Sequence, residues 1–119
     1  MSLNKVVLIG RLGKDPVAIE TKKGDAMCAF SLATNERWKD ASGTPKERTT
    51  WHDVVAFGGL ADVCLKHLKK GQQIYLEGKL RHDKNAKGFP STSVVMEQLV
   101  MLGSAPKGAP EAVEEGVPF

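Results

Sequence analysis

Apolar residues in this chain recur mainly at every second position, the period of a half-buried β-strand. The first such segment runs from Leu3 to Leu12, holds the run Val6-Val7-Leu8-Ile9 and is closed by Gly13. Asp15-Pro16 interrupts it, and Val17 to Thr21 resumes it past a bulge or bend. Lys22-Lys23-Gly24-Asp25 has the composition of a hairpin turn. A second strand is predicted over Ala26 to Arg37, with Cys28, Phe30 and Leu32 on one face. A polar loop, Lys39 to Glu47, leads to a third strand from Thr50 to Phe57, where Trp51, Val55 and Phe57 share a face. After Gly58-Gly59 the period changes. Leu60, Val63, Cys64 and Leu68 fall on one side of a helix, Lys66, Lys69 and Lys70 sit at its C-terminal end, and Gly71 is in place to cap it. A fourth strand, Gln73 to Arg81, puts Ile74, Leu76 and Leu80 inward and Gln73, Tyr75, Glu77, Lys79 and Arg81 outward. His82 to Pro90 reads as a polar hairpin loop, and Ser91 to Leu102 as a fifth strand.

Three strands, one short helix and two more strands is the order of an all-β, five-stranded Greek-key barrel of the OB type, with the helix between strands three and four. An SH3-like or other small barrel has a compatible order. The barrel is predicted over residues 1–103. Beyond Gly103 the chain turns to Ser, Ala, Pro, Gly and Glu, a composition that builds no core and predicts a disordered tail over 104–119. A chain of 119 residues suits one modest core. Its longest early apolar run is too short for a signal peptide or a membrane span, which predicts a cytoplasmic protein without membrane association.

The formal net charge is only +3, but it is unevenly spread. Residues 104–119 hold Lys107 against Glu111, Glu114 and Glu115, which leaves 16 Lys+Arg and 11 Asp+Glu in residues 1–103. A basic body and an acidic tail point to an anionic partner for the body. Catalysis is poorly supported: the chain has no phosphate loop, nucleophile elbow or H-E-x-x-H pair. Cys28 and Cys64 read as free buried thiols. Cys64 and His67 share a helix side with no second ligand pair, so neither a metal nor another cofactor is expected.

Holding single-stranded nucleic acid takes cations along a groove and exposed aromatic faces. Trp38 lies in "NERWKD" and Trp51 in "RTTWHDVVAFGG", with Phe57 six residues further on. Lys39, Lys46 and Arg48 stand close by, and Lys79, Arg81, Lys84 and Lys87 surround the last hairpin. The pattern leaves two orientations open for Trp51 and Phe57: outward as stacking platforms, or into the barrel with Val55.

Five segments carry a resemblance: "LNKVVLIGRLGKDP", "FSLATNERW", "ERTTWHDVVAFGGLA", "LKKGQQIYLEGKLR" and the final "VPF". Together they resemble bacterial-type single-stranded DNA-binding protein over residues 3–103 and the last three. The resemblance implies an OB fold, usually a homotetramer, that binds and protects single-stranded DNA without sequence preference during replication, recombination and repair, in association with the nucleoid. By position it implies stacking rings at Trp38, Trp51 and Phe57 and basic contacts at Lys5, Lys46 and Lys70. Arg48, Tyr75, Lys79, Arg81, Lys84 and Phe89 complete the expected DNA surface, and His52 matches a subunit-interface position.

Family members often carry another stacking Trp in the hairpin after strand four. The nearest position here is Asn85, with Phe89 as the available ring, and Asp53 stands where a basic residue is common. Glu114, Glu115, Val117, Pro118 and Phe119 resemble the family's acidic tip, which docks replication and repair proteins. Pro118 presets the backbone and Phe119 offers an apolar anchor. Two other functions fit an OB barrel: an adaptor that binds chiefly protein, and a metal-dependent nuclease.

Overall fold

A computed structural model describes residues 1–21 and 23–103. Six strands and one helix follow in the order β1 (Val6–Leu12), β2 (Val17–Glu20), β3 (Ala26–Lys39), β4 (Pro45–Phe57), α1 (Gly58–His67), β5 (Gln73–Lys84) and β6 (Pro90–Gly103). β1 and β2 are the two halves of the first strand, bent at Asp15-Pro16, so the barrel has five strand positions. The neighbour order β1-β5-β6-β4-β3-β2 is closed by a short β1–β3 pairing, Arg11 opposite Ala33 and Leu12 opposite Leu32. β4 and β6 run parallel and the other pairs antiparallel. With α1 between the third and fourth strand positions, this is the OB topology.

Alternation supplies the core. Cys28, Phe30 and Leu32 of β3 face Val54 and Ala56 of β4, Ile74 and Leu76 of β5, and Val94 and Met96 of β6. Ala61, Cys64 and Leu68 plug one end. Burial pushes the Cys64 thiol up to about 12 and raises that of Cys28, so both stay protonated at neutral pH. A bulge opposite Glu77/Gly78 leaves Glu97 unpaired and shifts the phase of β6. Beyond it Leu99, opposite Leu76, turns toward the core.

Several expectations are corrected. Val63 is exposed, and Ala61 takes its place on the buried side of α1. Leu80 is also exposed, at the rim of the barrel opposite Val94, beyond which neither β5 nor β6 buries a side chain. Gly71 does not cap α1, which ends at His67 with Leu68 in an extended conformation. Instead, Gly71 turns the chain at φ +84° and donates its N–H to the Leu12 carbonyl at 2.8 Å.

The largest difference is in the predicted loops. Both ends of Lys39–Glu47 and of His82–Pro90 are strand, which leaves turns of residues 40–44 and 85–89 only. β3 and β4 pair without a break from Met27/Phe57 to Lys39/Pro45, and β5 and β6 pair out to Lys84/Pro90. The turns are only five residues long and alike. Asp40 and Asn85 each accept, on their own carbonyl, the N–H of a glycine three residues on, at 2.9 Å in both. Those glycines, Gly43 and Gly88, have φ of +84° and +85°, the left-handed residue of a three-residue hairpin loop. Thr21, Gly24 and Asp25 repeat the pattern between β2 and β3. Beyond the barrel both long hairpins are wet on each face, so their sequence carries no apolar alternation.

Closure brings backbones into contact. A Cβ on Gly78 would lie 2.2 Å from the Val95 carbonyl oxygen, and one on Gly10 2.2 Å from that of Ala33. The obstacle in each case is main chain, which cannot swing aside. Gly78→Ala is expected to cost about 1–3 kcal/mol as the strands are forced apart. A urea melt with an unchanged midpoint would contradict this.

Candidate nucleic-acid interface

The β3–β4 ribbon carries all three predicted rings, and its register fixes which way each one points. Residues opposite one another across an antiparallel pair share a face, and neighbours along a strand alternate. The inward face of β4 is His52, Val54 and Ala56, so Trp51, Asp53, Val55 and Phe57 face outward. Trp51 is 58% exposed and Phe57 36%, which settles their orientation in favour of the surface. Val55 is covered even on the outward side, between its register partners Ala29 and Val95.

Trp38 pairs with Lys46, an odd number of residues from Trp51 along an unbroken ladder. It therefore emerges on the reverse side of the ribbon, beyond the end of the barrel, and is 43% exposed. The three rings form two platforms on opposite sides. Strand twist softens this opposition without removing it.

Each platform has its own cations. On the outward side the six-membered ring of Trp51 packs against Gly13, where a Cβ would sit 2.4 Å from the indole. The absence of a side chain at Gly13 is what seats the ring, a role that sequence reading missed. Lys14 and Ser31 line the same recess. The Arg81 guanidinium lies 5.6 Å from the centroid of the Phe57 ring, within cation–π range. Arg81 also pairs with Asp83 at 2.8 Å. Lys79 is exposed on the same outward alternation of β5.

On the reverse side Trp38 stands opposite Lys46, and the two border an open cleft of about 600 Å³ at the end of the ribbon with Arg37, Lys39, Pro45 and Glu47, which alternate to the outward side. Arg48, diagonal to Trp38 in the register, places its guanidinium 5.8 Å from the indole centroid. At the tip Asp40 accepts hydrogen bonds from the Ser42 N–H and hydroxyl and the Thr44 N–H, and approaches Lys46 at 4.0 Å. The Ser42 hydroxyl, with the Thr44 and Ser42 N–H groups, holds the Asp40 carboxyl below its ordinary value.

Other predicted residues lie elsewhere. Lys5 is paired with Glu77 at 3.0 Å, and Glu77 also accepts the Tyr75 hydroxyl. This trio sits on the β1–β5 face beside the exposed Val7 and Ile9, on the outward alternation of β5 that Lys79 and Arg81 continue. The Tyr75 hydroxyl and Lys5 hold the Glu77 carboxyl low, and Glu77 in turn raises Lys5 and Tyr75. His52 bonds Thr34 Oγ1 at 2.9 Å and borders a small recess with Val7, Leu8 and Ile9. Lys70 is exposed, and its backbone N–H is tied to Asp15 at 2.8 Å. Lys84 and Phe89 flank the β5–β6 turn, with Phe89 62% exposed. The Asn85 side chain accepts the N–H groups of Lys87 and Phe89, so this position serves the turn. The tip residues Glu114 to Phe119 lie outside the described residues.

Among the described residues no group of three His, Cys, Asp or Glu side chains could hold a metal ion, and no helix is long and apolar enough to cross a membrane.

The model of the single-strand binding protein family matches residues 3–102. The single-stranded DNA-binding protein 1 of Chlorobaculum tepidum is 48% identical, over 89% of this chain and 68% of that one. The single-stranded DNA-binding protein of Neisseria meningitidis serogroup A is 43% identical, over 98% of this chain and 70% of that one. Among solved structures, a Plasmodium falciparum SSB in complex with ssDNA superposes with a TM-score of 0.78 at 35% identity, covering 87% of this chain and 97% of the other. A deletion mutant of the Thermus aquaticus single-stranded DNA binding protein gives 0.76 at 31% identity, covering 85% and 51%.

The Asp40 turn yields a pH expectation. A carboxyl held low contributes stability above its unfolded value and loses it as pH falls through the lower folded value. In a pH series, the Ser42 and Thr44 amide resonances should titrate with a midpoint below the 3.8 of an unperturbed aspartate. Asp40→Asn should abolish that titration. A midpoint at or above the ordinary value would contradict the assignment.

Proposed function

Since this chain belongs to the single-strand binding protein family, we propose that it binds and protects single-stranded DNA without sequence preference and without catalysing a reaction. The carrying observation is the pairing of exposed rings with cations on both sides of one ribbon: Trp51, Phe57 and Arg81 outward, Trp38, Lys46 and Arg48 on the reverse. Bases stack on the rings while Lys and Arg displace counterions from phosphates. Because the platforms face opposite ways, a strand engaging both passes around the ribbon. Such binding suits the exposed strands of replication, recombination and repair. The likeness to an SSB solved with ssDNA supports the reading.

Lys5 and Tyr75, held by Glu77 on the β1–β5 face, are secondary candidates for DNA contact. That face, with exposed Val7 and Ile9 and the His52 recess, is proposed as the surface for further copies of the chain, in keeping with a tetramer. The acidic segment Glu114–Glu115 followed by Val117-Pro118-Phe119 is proposed as a docking peptide for replication and repair proteins.

Titration with poly-dT at low salt should quench Trp fluorescence, and log K should fall with log salt at about −0.7 per phosphate neutralised. Trp51→Ala should cost on the order of 1–3 kcal/mol of binding. Absence of quenching would sink the proposal. Removing Val117 to Phe119 should abolish capture of replication proteins while leaving poly-dT affinity intact; retained capture would refute the docking role.

A further inference from the structure

The two arginines over aromatic rings are held differently. Arg48 reaches the Trp38 indole with no ion pair of its own among the described residues. Arg81 lies against Phe57 while its Nε is gripped by Asp83 at 2.8 Å. Arg81 and Asp83 are two apart on β5, so both face the outward side, and both side chains are open to solvent, at 42% and 59%. A carboxylate presents to a guanidinium much the same pair of oxygens as a backbone phosphate does.

We propose that Asp83 is a latch on the DNA site, standing in for a phosphate on Arg81 and holding its guanidinium over the Phe57 ring. The inference rests on the DNA-binding reading above. A base and the guanidinium compete for the exposed part of that ring. A nucleotide arriving there supplies both replacements at once: its phosphate takes Arg81 from Asp83, and its base takes the ring from Arg81. Neither half gains as much alone. An exposed ion pair is weak enough to be exchanged reversibly, yet it subtracts from affinity at this ring. On the Trp38 platform Asp40 reaches Lys46 only at 4.0 Å and no carboxylate holds Arg48 over the ring among the described residues, so it is the readier of the two to accept a base. Asp83 touches no DNA in this scheme. It is a positioning residue that acts through Arg81.

The test is a double-mutant cycle on the full chain, read as affinity for a labelled dT oligomer by anisotropy. Asp83→Asn should tighten binding roughly two- to fivefold. Asp83→Glu, which keeps the charge, should bind as the parent does. In an Arg81→Gln background, Asp83→Asn should no longer tighten binding. Thermal melts should be unchanged throughout, since both side chains are exposed. An equal gain in both backgrounds would mean that Asp83 acts only by repelling DNA, and no gain beside Arg81 would mean that no latch exists; either overturns the proposal. If the parent chain itself failed to bind dT, the DNA-binding reading would fall first.

Discussion

Barrel closure depends on two places where one backbone lies directly on another. At Gly10 and Gly78 the neighbouring carbonyl occupies the space a Cβ would need. Only two residue pairs, Arg11/Ala33 and Leu12/Leu32, seal β1 to β3. A five-stranded barrel has so narrow an interior that its strands must coil tightly, and the glycines with the β6 bulge permit that curvature. The remaining architecture follows from this closure. α1 finds an end to plug, and the long hairpins are aimed outward.

Much of the barrel was legible in the sequence because burial on one side imposes alternation. Cys28, Phe30 and Leu32 lie inward as expected, as do Ile74 and Leu76. Legibility ended where the strands leave the core. At the two ends of Lys39–Glu47 and of His82–Pro90 nothing beneath the ribbon demands apolar residues, so these strand ends read as loop. Leu80 was misplaced for the same reason, at the point where the inward face becomes a wet one. The Glu97 bulge hides a phase change that alternation alone does not reveal.

The site was half legible. The charged neighbours of Trp38 marked it as hard to bury, and it is exposed. Trp51 and Phe57 stayed ambiguous because Val55 shares their side, and the decisive neighbours, Val54 and Ala56, are smaller and less conspicuous. The division of the rings between two sides follows from an unbroken register closed by a turn whose length composition had overstated. The seat of Trp51 on Gly13 and the meeting of Arg81 with Phe57 join distant segments, and no local pattern encodes them. Lys5 shows the opposite case: a cation in a plausible position whose charge is already engaged by Glu77.

The three matching hairpin turns have a consequence for how such a protein can change over time. Each turn secures its ribbon with main-chain bonds, one glycine and one small polar residue, asking nothing of the side chains along the arms. Beyond the barrel, the arms of the β3–β4 and β5–β6 hairpins in turn contribute little to the core. Substitutions there can alter charge and ring placement with little effect on folding, so selection can tune affinity and barrel stability almost independently.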